Sequence, residues 1–289
     1  MRRRGGYTPA AKFHFAGHIL VAYLRGDTKT SFQLPKQDSI VSVAPIIFDP
    51  RAPYRAPCGV CVDCDVRRMA VCAALDDGDL GALEAIMTSK RLDTNEQLVE
   101  EGEPKRRVFS LTSGMLRIYT SLPDGRRQIA GFLFPGDYLG LADDETYSQS
   151  AEAVMPSVLC AFSSREMDGL MERFPKLKER LHQMTRAALR TARDNQLVLG
   201  RLAPVEKLAS FLLVLSARAE KRGEKPNPVH LSMNRTDIAD YLGLTIETVS
   251  RSFTKLKTQG LIQLPDANTV EILSRRSLAA VAGMDPENL

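Results

Sequence analysis

No apolar run in this 289-residue chain reaches the roughly 18 to 20 residues needed to cross a bilayer. The longest candidate, around Ile19 to Leu24, is short and stops at Arg25. Strong charge is missing as well: 39 Lys and Arg against 35 Asp and Glu leave a formal +4, too little by itself to imply a nucleic-acid partner. There is no GxGxxG dinucleotide loop, no second cysteine set and no convincing catalytic constellation. The four histidines, His14, His18, His182 and His230, are scattered. These absences argue against a membrane span and against an enzyme. What is present, 44 % apolar and 26 % charged residues, is ordinary for a soluble globular protein with room for two domains. Collagen, wholesale disorder and a disulfide-stapled miniprotein are thereby excluded.

Charge is distributed unevenly. Residues 1–57 carry nine basic and three acidic side chains, whereas residues 58–289 carry thirty and thirty-two. The head contains Arg2-Arg3-Arg4 and six prolines without a sustained apolar period, so it reads as a poorly ordered basic extension. Arg2 to Arg4 could open a signal peptide, but no clear apolar stretch and small-residue cleavage site follow, and a cytoplasmic location is expected.

From Asp79 the pattern changes. Leu80, Leu83, Ile86 and Met87 suggest a short amphipathic helix. Short β-type runs follow at 108–111, 116–119, 128–132 and 158–162, separated by turn signals at Ser113-Gly114, Pro123-Asp124-Gly125 and Pro135-Gly136-Asp137. Such spacing predicts a compact barrel or sandwich. Arg165 to about Arg201 then reads as a long helix that Pro175 could open. On it Leu177, Leu181, Met184 and Ala188 form one stripe, and Leu189, Ala192, Gln196 and Leu199 a neighbouring one. The second stripe suits a marginal dimer seam; a helix buried wholly within one chain is equally compatible. After Ala203-Pro204, Leu208, Phe211, Leu212 and Leu215 mark a further helix in the core of a second domain.

The stretch from Leu231 to Arg251 is the most informative. Asn234 can cap a short helix with Ile238 and Leu242 inward, Gly243 permits a tight turn, and Thr245 can cap a second helix. That is a helix-turn-helix. On its second helix Ile246, Val249, Phe253 and Leu256 point inward, leaving Glu247, Ser250, Arg251 and Thr254 outward. Arg251 carries the donor fork that matches guanine, Glu247 can accept from a cytosine amino group, and Ser250 can do either. A Glu247–Arg251 salt bridge is the plain alternative for an isolated pair, but the motif around it favours DNA reading. Leu261–Leu264 and Thr269–Leu273, joined by Pro265-Asp266-Ala267-Asn268, form a wing, and Lys255, Lys257, Arg275 and Arg276 are candidate phosphate contacts.

Four of five cysteines cluster as Cys58, Cys61, Cys64 and Cys72; the fifth is Cys160. Without an export signal this favours metal or cluster ligation over disulfides, and spacing alone does not separate a zinc site from a [4Fe–4S] centre. An iron–sulfur redox protein with the helix-turn-helix as an interaction module is a more distant alternative.

The order of these parts resembles the Crp/Fnr family of bacterial transcription regulators over roughly residues 58–285. Cys61-Val62-Asp63-Cys64, Cys72 and Val158-Leu159-Cys160 are similar to the oxygen-responsive FNR branch, including FnrN- and FnrL-type regulators. The resemblance implies an α+β fold: a cysteine-rich cluster-binding segment at 58–73, a cyclic-nucleotide-binding-like β-roll (jelly roll) sensor at 74–163, a long dimerisation helix at 164–202 and a winged helix-turn-helix at 203–289. It also implies that Cys61, Cys64, Cys72 and Cys160 hold a [4Fe–4S] cluster, with Cys58 spare. Glu247, Ser250 and Arg251 match the base-reading Glu-x-x-Ser-Arg, implying a homodimer on a palindromic double-stranded DNA operator of TTGAT type. The hairpin tip Leu122 to Arg127 would face RNA polymerase. Two departures stand out. Ala192 lies where FNR relatives can carry a carboxylate that weakens pairing. No Lys or Arg falls between Arg127 and Arg165, and Asp143-Asp144-Glu145 is acidic, so a cyclic nucleotide would be repelled.

Overall fold

The computed structural model describes residues 61–284, so the basic head, Cys58, His14 and His18 lie outside the described residues. Two short 3-10 turns, Cys61–Asp63 and Val71–Ala74, lead into α1 (Leu80–Glu84), whose Leu80 and Leu83 are buried as the spacing predicts. An antiparallel sheet follows, built from β1 (Met87–Leu92), β2 (Gln97–Val99), β3 (Arg107–Ser121), β4 (Arg127–Leu133), β5 (Tyr138–Leu139) and β6 (Ser150–Ser163). Its order is β1-β6-β3-β4, with β2 on β6 and β5 on β3. The long pair β3 and β6 is the spine, registered from Val108 opposite Phe162 to Tyr119 opposite Ser150.

Side chains alternate across this spine, as a pleat requires. Leu159 and Ala161 join Phe109, Leu111, Leu116 and Tyr147 in one apolar cluster. Cys160 and Phe162, one step out of phase, instead face a second cluster with Val108, Leu80, Leu83, Leu177 and Leu181. Each fully buried leucine there contributes about 1.5–3 kcal/mol.

Two expectations need correction. Ser113-Gly114 is not a turn: β3 runs through it, and the register against β6 slips between Leu111 and Leu116. Gly114 makes this bulge possible at φ +88°, because a Cβ there would stand 2.2 Å from Ser157 Oγ and 2.5 Å from the Pro156 carbonyl. Ser157 Oγ uses the space to accept the Met115 N–H at 3.1 Å. The segment 164–202 is also not one helix but two, α2 (Ser164–Arg173) and α3 (Pro175–Arg201). Phe174 precedes a proline and is held extended at φ −120°, ψ 91°, which breaks the helix and lets Pro175 start the next.

Beyond Leu202 come α4 (Pro204–Lys221), β7 (Val229–His230), α5 (Arg235–Leu242), α6 (Ile246–Thr258), β8 (Ile262–Gln263), β9 (Thr269–Ile272) and α7 (Arg275–Val281). The wing is a three-stranded sheet in the order β7-β9-β8, one strand more than the hairpin expected. Leu208, Phe211, Leu212 and Leu215 of α4 sit in a cluster that takes in Ile129 and Phe132 of β4 as well as Ile238, Leu242, Val249 and Phe253. The core is therefore continuous from the roll into the helix-turn-helix. Among the described residues no helix is long and apolar enough to cross a membrane.

Candidate DNA-reading surface and cysteine site

The turn between α5 and α6 is held by local chemistry. Asn234 Oδ1 accepts the Asp237 N–H at 2.8 Å while the Asp237 carboxylate accepts the Asn234 N–H at 3.3 Å, a reciprocal cap on α5. Gly243 ends that helix at φ +61°, and Thr245 Oγ1 accepts the Thr248 N–H at 3.2 Å to start α6. Lys207 Nζ, buried on α4, donates to the Leu242 carbonyl at 3.1 Å and so caps the positive-seeking end of α5.

Val249, Phe253 and Leu256 are buried beneath α6, whereas Ile246, expected inward, is 43 % exposed because it opens the helix beyond the core's edge. Glu247, Ser250, Arg251 and Thr254 all face solvent as expected. Among the described residues no ion pair joins Glu247 and Arg251; hydrogen bonds from its own backbone N–H and from Thr245 hold the Glu247 carboxyl below the ordinary glutamate range. It therefore presents an ionised acceptor. Ser250, Arg251, Thr254, Lys255 and Thr258 line a shallow concavity of about 430 Å³. A neighbouring cleft of about 520 Å³ runs from Arg251 and Lys255 to Pro204 and Glu206 at the start of α4. Of the other basic candidates, Arg275 is engaged with Glu220 at 3.2 Å.

Along α3 the two halves differ. Leu177 and Leu181 are buried against the roll side, Met184 is partly buried, and from Ala188 onward the helix is largely uncovered. Leu189 is 52 % and Leu199 37 % exposed, and Ala192 and Gln196 are exposed between them. Leu197, absent from the predicted stripe, is 62 % exposed and lies about 80° around the helix from Leu189.

The cysteine segment packs on the foot of α3. Arg180 Nη2 donates to the Met69 carbonyl at 2.6 Å, and Met69 lies close enough to the Gly136 turn that a Cβ at Gly136 would stand 2.8 Å from it. Cys61 and Cys72 are buried in the same apolar cluster as Leu177 and Leu181, and Cys160 packs against it from β6. The Cys61 N–H donates to Glu84 Oε1 at 2.6 Å. Thiols suit iron–sulfur ligation in donor chemistry, and those of Cys61, Cys72 and Cys160 lie at one apolar cluster. Among the described residues, however, no three His, Cys, Asp or Glu side chains converge into a group that could hold a metal ion. Cys61, Cys72 and Cys160 thus share an apolar cluster, and the Cys64 N–H donates to the Cys61 carbonyl at 3.4 Å.

In the roll, Asp143 is occupied by its own loop, accepting from the Ser148 N–H and hydroxyl at 2.9 and 2.5 Å. Lys105 donates to the Asp143 carbonyl. A feature the sequence does not reveal is Arg117, an arginine on a mostly apolar strand, which meets Asp237 of α5 120 positions away.

A sensor-type β-roll joined through a long helix to a winged helix-turn-helix with a solvent-facing reading surface defines a two-part DNA-binding regulator. A Crp-like helix-turn-helix domain matches residues 206–281, and a cyclic nucleotide-binding domain matches residues 89–174. The chain belongs to the Crp/Fnr family of transcription regulators. It is 40 % identical to the transcriptional activatory protein AadR of Rhodopseudomonas palustris, over 76 % of this chain and 91 % of the relative. It is 34 % identical to the transcriptional activator protein FnrL of Cereibacter sphaeroides, over 78 % of this chain and 93 % of the relative. The solved structure of FixK2 from Bradyrhizobium japonicum superposes with a TM-score of 0.64 at 33 % identity, covering 68 % of this chain and 97 % of that one.

Proposed function

We propose that the protein is a cytoplasmic, homodimeric transcription activator that answers oxygen or redox state, with a [4Fe–4S] cluster held by Cys61, Cys64, Cys72 and Cys160 and a TTGAT-type palindrome as operator. The observation that carries this reading is the shared apolar cluster in which Cys61, Cys72 and Cys160 meet Leu177 and Leu181 at the foot of α3. Ligation at those thiols acts on the same packing that supports the helix whose far half presents Leu189, Ala192, Gln196 and Leu199. When bound, the cluster supplies an oxidant-labile tie between the amino-terminal turns and β6.

The chain's own side chains do the remaining work. The α3 stripes of two subunits pair, and Arg251, Glu247 and Ser250 of each read one half-site. A lone subunit offers too few contacts, so a change of a few kcal/mol in pairing shifts operator occupancy strongly. The hairpin tip from Leu122, 44 % exposed, to Arg127 is offered to RNA polymerase. A cyclic nucleotide is not the signal, since the roll between Arg127 and Arg165 has no basic side chain to pair with a cyclic phosphate. No reaction is catalysed.

A second reading keeps the same regulator with structural zinc or no cluster, since the spacing of Cys58, Cys61, Cys64 and Cys72 suits thiolate ligation of either kind. Purification without air separates the two. The first reading expects a brown protein with about four iron and four acid-labile sulfide per chain, whose operator binding drops on exposure to air. A colourless, air-indifferent binder overturns it.

A further inference from the structure

The roll and the helix-turn-helix meet across five charged side chains that base reading does not use. Arg117, mid-strand on β3 and 6 % exposed, donates from Nη1 to both oxygens of Asp237 at 3.2 and 3.3 Å. Its Nη2 donates to Asn95 Oδ1 at 3.1 Å and to Glu152 Oε1 at 2.5 Å. Asp237 is 1 % exposed and already caps α5. Arg127 on β4 adds ion pairs with Asp240 at 3.4 Å, Asp237 at 3.6 Å and Glu152 at 3.8 Å. Beside it Gln128 Nε2 donates to the carbonyls of Asp240 and Tyr241 at 2.8 and 3.3 Å. One flank of α5 is thus bound through side chain and main chain to the β3–β4 hairpin.

A buried ionic set of this kind adds little net stability, because desolvation offsets the attraction, and Arg117 Nε has no acceptor among the described residues. What it supplies is geometry: a guanidinium fork fixes the carboxylates it binds in distance and plane. α5 passes that constraint on, since only the turn at Gly243 to Thr245 separates it from α6. The same helix also reaches α3, where Tyr241 Oη donates to Asn195 Oδ1 at 2.9 Å, next to Gln196 of the exposed stripe.

We propose that Arg117 and Arg127 are positioning residues for operator binding: they clamp α5 to the hairpin and thereby set the pose of α6 relative to the α3 stripe. Two reading helices must stand about 34–36 Å apart to enter successive major grooves, and a loosely held α5 would not keep that spacing. The clamp leaves Glu247, Ser250 and Arg251 uncovered, so it holds a DNA-presenting arrangement. The inference rests on the DNA-reading role of α6 and extends it to residues on the sensor roll.

Arg127 and Asp240, 29 % and 24 % exposed, are the members whose neutralisation the fold tolerates best. The full-length wild-type protein first selects a duplex from a random-sequence pool. Arg127→Gln, Asp240→Asn, the double variant and Arg127→Lys are then titrated with that duplex and with a scrambled one, and melting midpoints are recorded. Each neutralised variant is expected to bind the selected duplex about tenfold more weakly, within the usual span of coupling between sites. The double variant should lose about the same tenfold rather than a hundredfold, because Asp240→Asn removes an ion pair that Arg127→Gln already breaks. Arg127→Lys should recover most of the loss, and scrambled-duplex binding should not move. Affinities within about twofold of wild type, with only the melting midpoint lowered, overturn the clamp, as do losses that simply add. A wild-type protein that enriches no sequence overturns the DNA-reading role instead, and the clamp with it.

Discussion

Base reading at the residue scale depends on complementary donors and acceptors held on one short stretch of helix. On the proposed reading, Arg251 offers a two-pronged donor, Glu247 an ionised acceptor and Ser250 either, a set able to discriminate different base edges in the major groove. Each stands on rigid ground: Val249 and Phe253, buried at 0 % and 3 % exposure, fix the helix under them. Arg251→Ala removes the fork without disturbing that support. Operator affinity should then fall about 5- to 150-fold, the 1–3 kcal/mol of one bidentate contact, while the melting midpoint stays within a degree or two and scrambled-duplex binding is kept. Gel-shift titrations on the two duplexes check this. Equal losses on both would make Arg251 a phosphate contact rather than a reader.

Elements were legible in the sequence wherever local chemistry and periodicity agree. The α5–α6 unit is readable because Asn234, Gly243 and Thr245 punctuate it and its apolar spacing is unbroken. β3 is not, because Ser113-Gly114 carries turn chemistry and only the partner strand, through Ser157, reveals a bulge. β5 and β7, two residues each, carry no period at all. The cysteine spacing was visible and the placement of Cys160 on the shared cluster follows from strand alternation, but convergence of ligands is a matter of tertiary geometry. The Arg117–Asp237 pair had no local signal either. For α3 the sequence left open whether the stripe of Leu189, Ala192, Gln196 and Leu199 is buried in its own chain; among the described residues all four are exposed. On the dimeric reading, Leu189→Glu places a charge in the seam and forfeits a leucine's burial. The subunit Kd should rise by roughly 30- to 200-fold, about 2–3 kcal/mol, with far-ultraviolet dichroism unchanged. Sedimentation at micromolar concentration checks this, and a variant that still sediments like the wild type removes the seam from this face.

At the scale of the whole molecule, the excess positive charge lies in residues 1–57, nine basic against three acidic side chains, and not in the part that carries α6. Residues 58–289 hold thirty basic against thirty-two acidic side chains, so the body carrying the reading helix is close to neutral. On the dimeric reading, sequence-specific affinity comes from local contacts made twice, once by each α6, and simultaneous engagement depends on geometry. Doubling has a signature that charge does not. Inserting about five base pairs between the half-sites turns one of them to the opposite face of the duplex, since one helical turn is about 10–10.5 base pairs. Every phosphate and every base edge is still present, yet only one α6 reaches its half-site. Binding should fall to the level of a duplex carrying a single half-site, whereas an insertion of about ten base pairs, which restores the face but widens the gap, should recover binding only as far as the α3 pairing and the α5 clamp allow the reading helices to part. A rigid clamp predicts little recovery. Fluorescence anisotropy on the palindrome, the half-turn and full-turn insertions and the single half-site measures all four together. Equal affinity for the half-turn insertion and the palindrome would show that one subunit suffices, and would remove pairing of α3 as the route by which any signal reaches DNA.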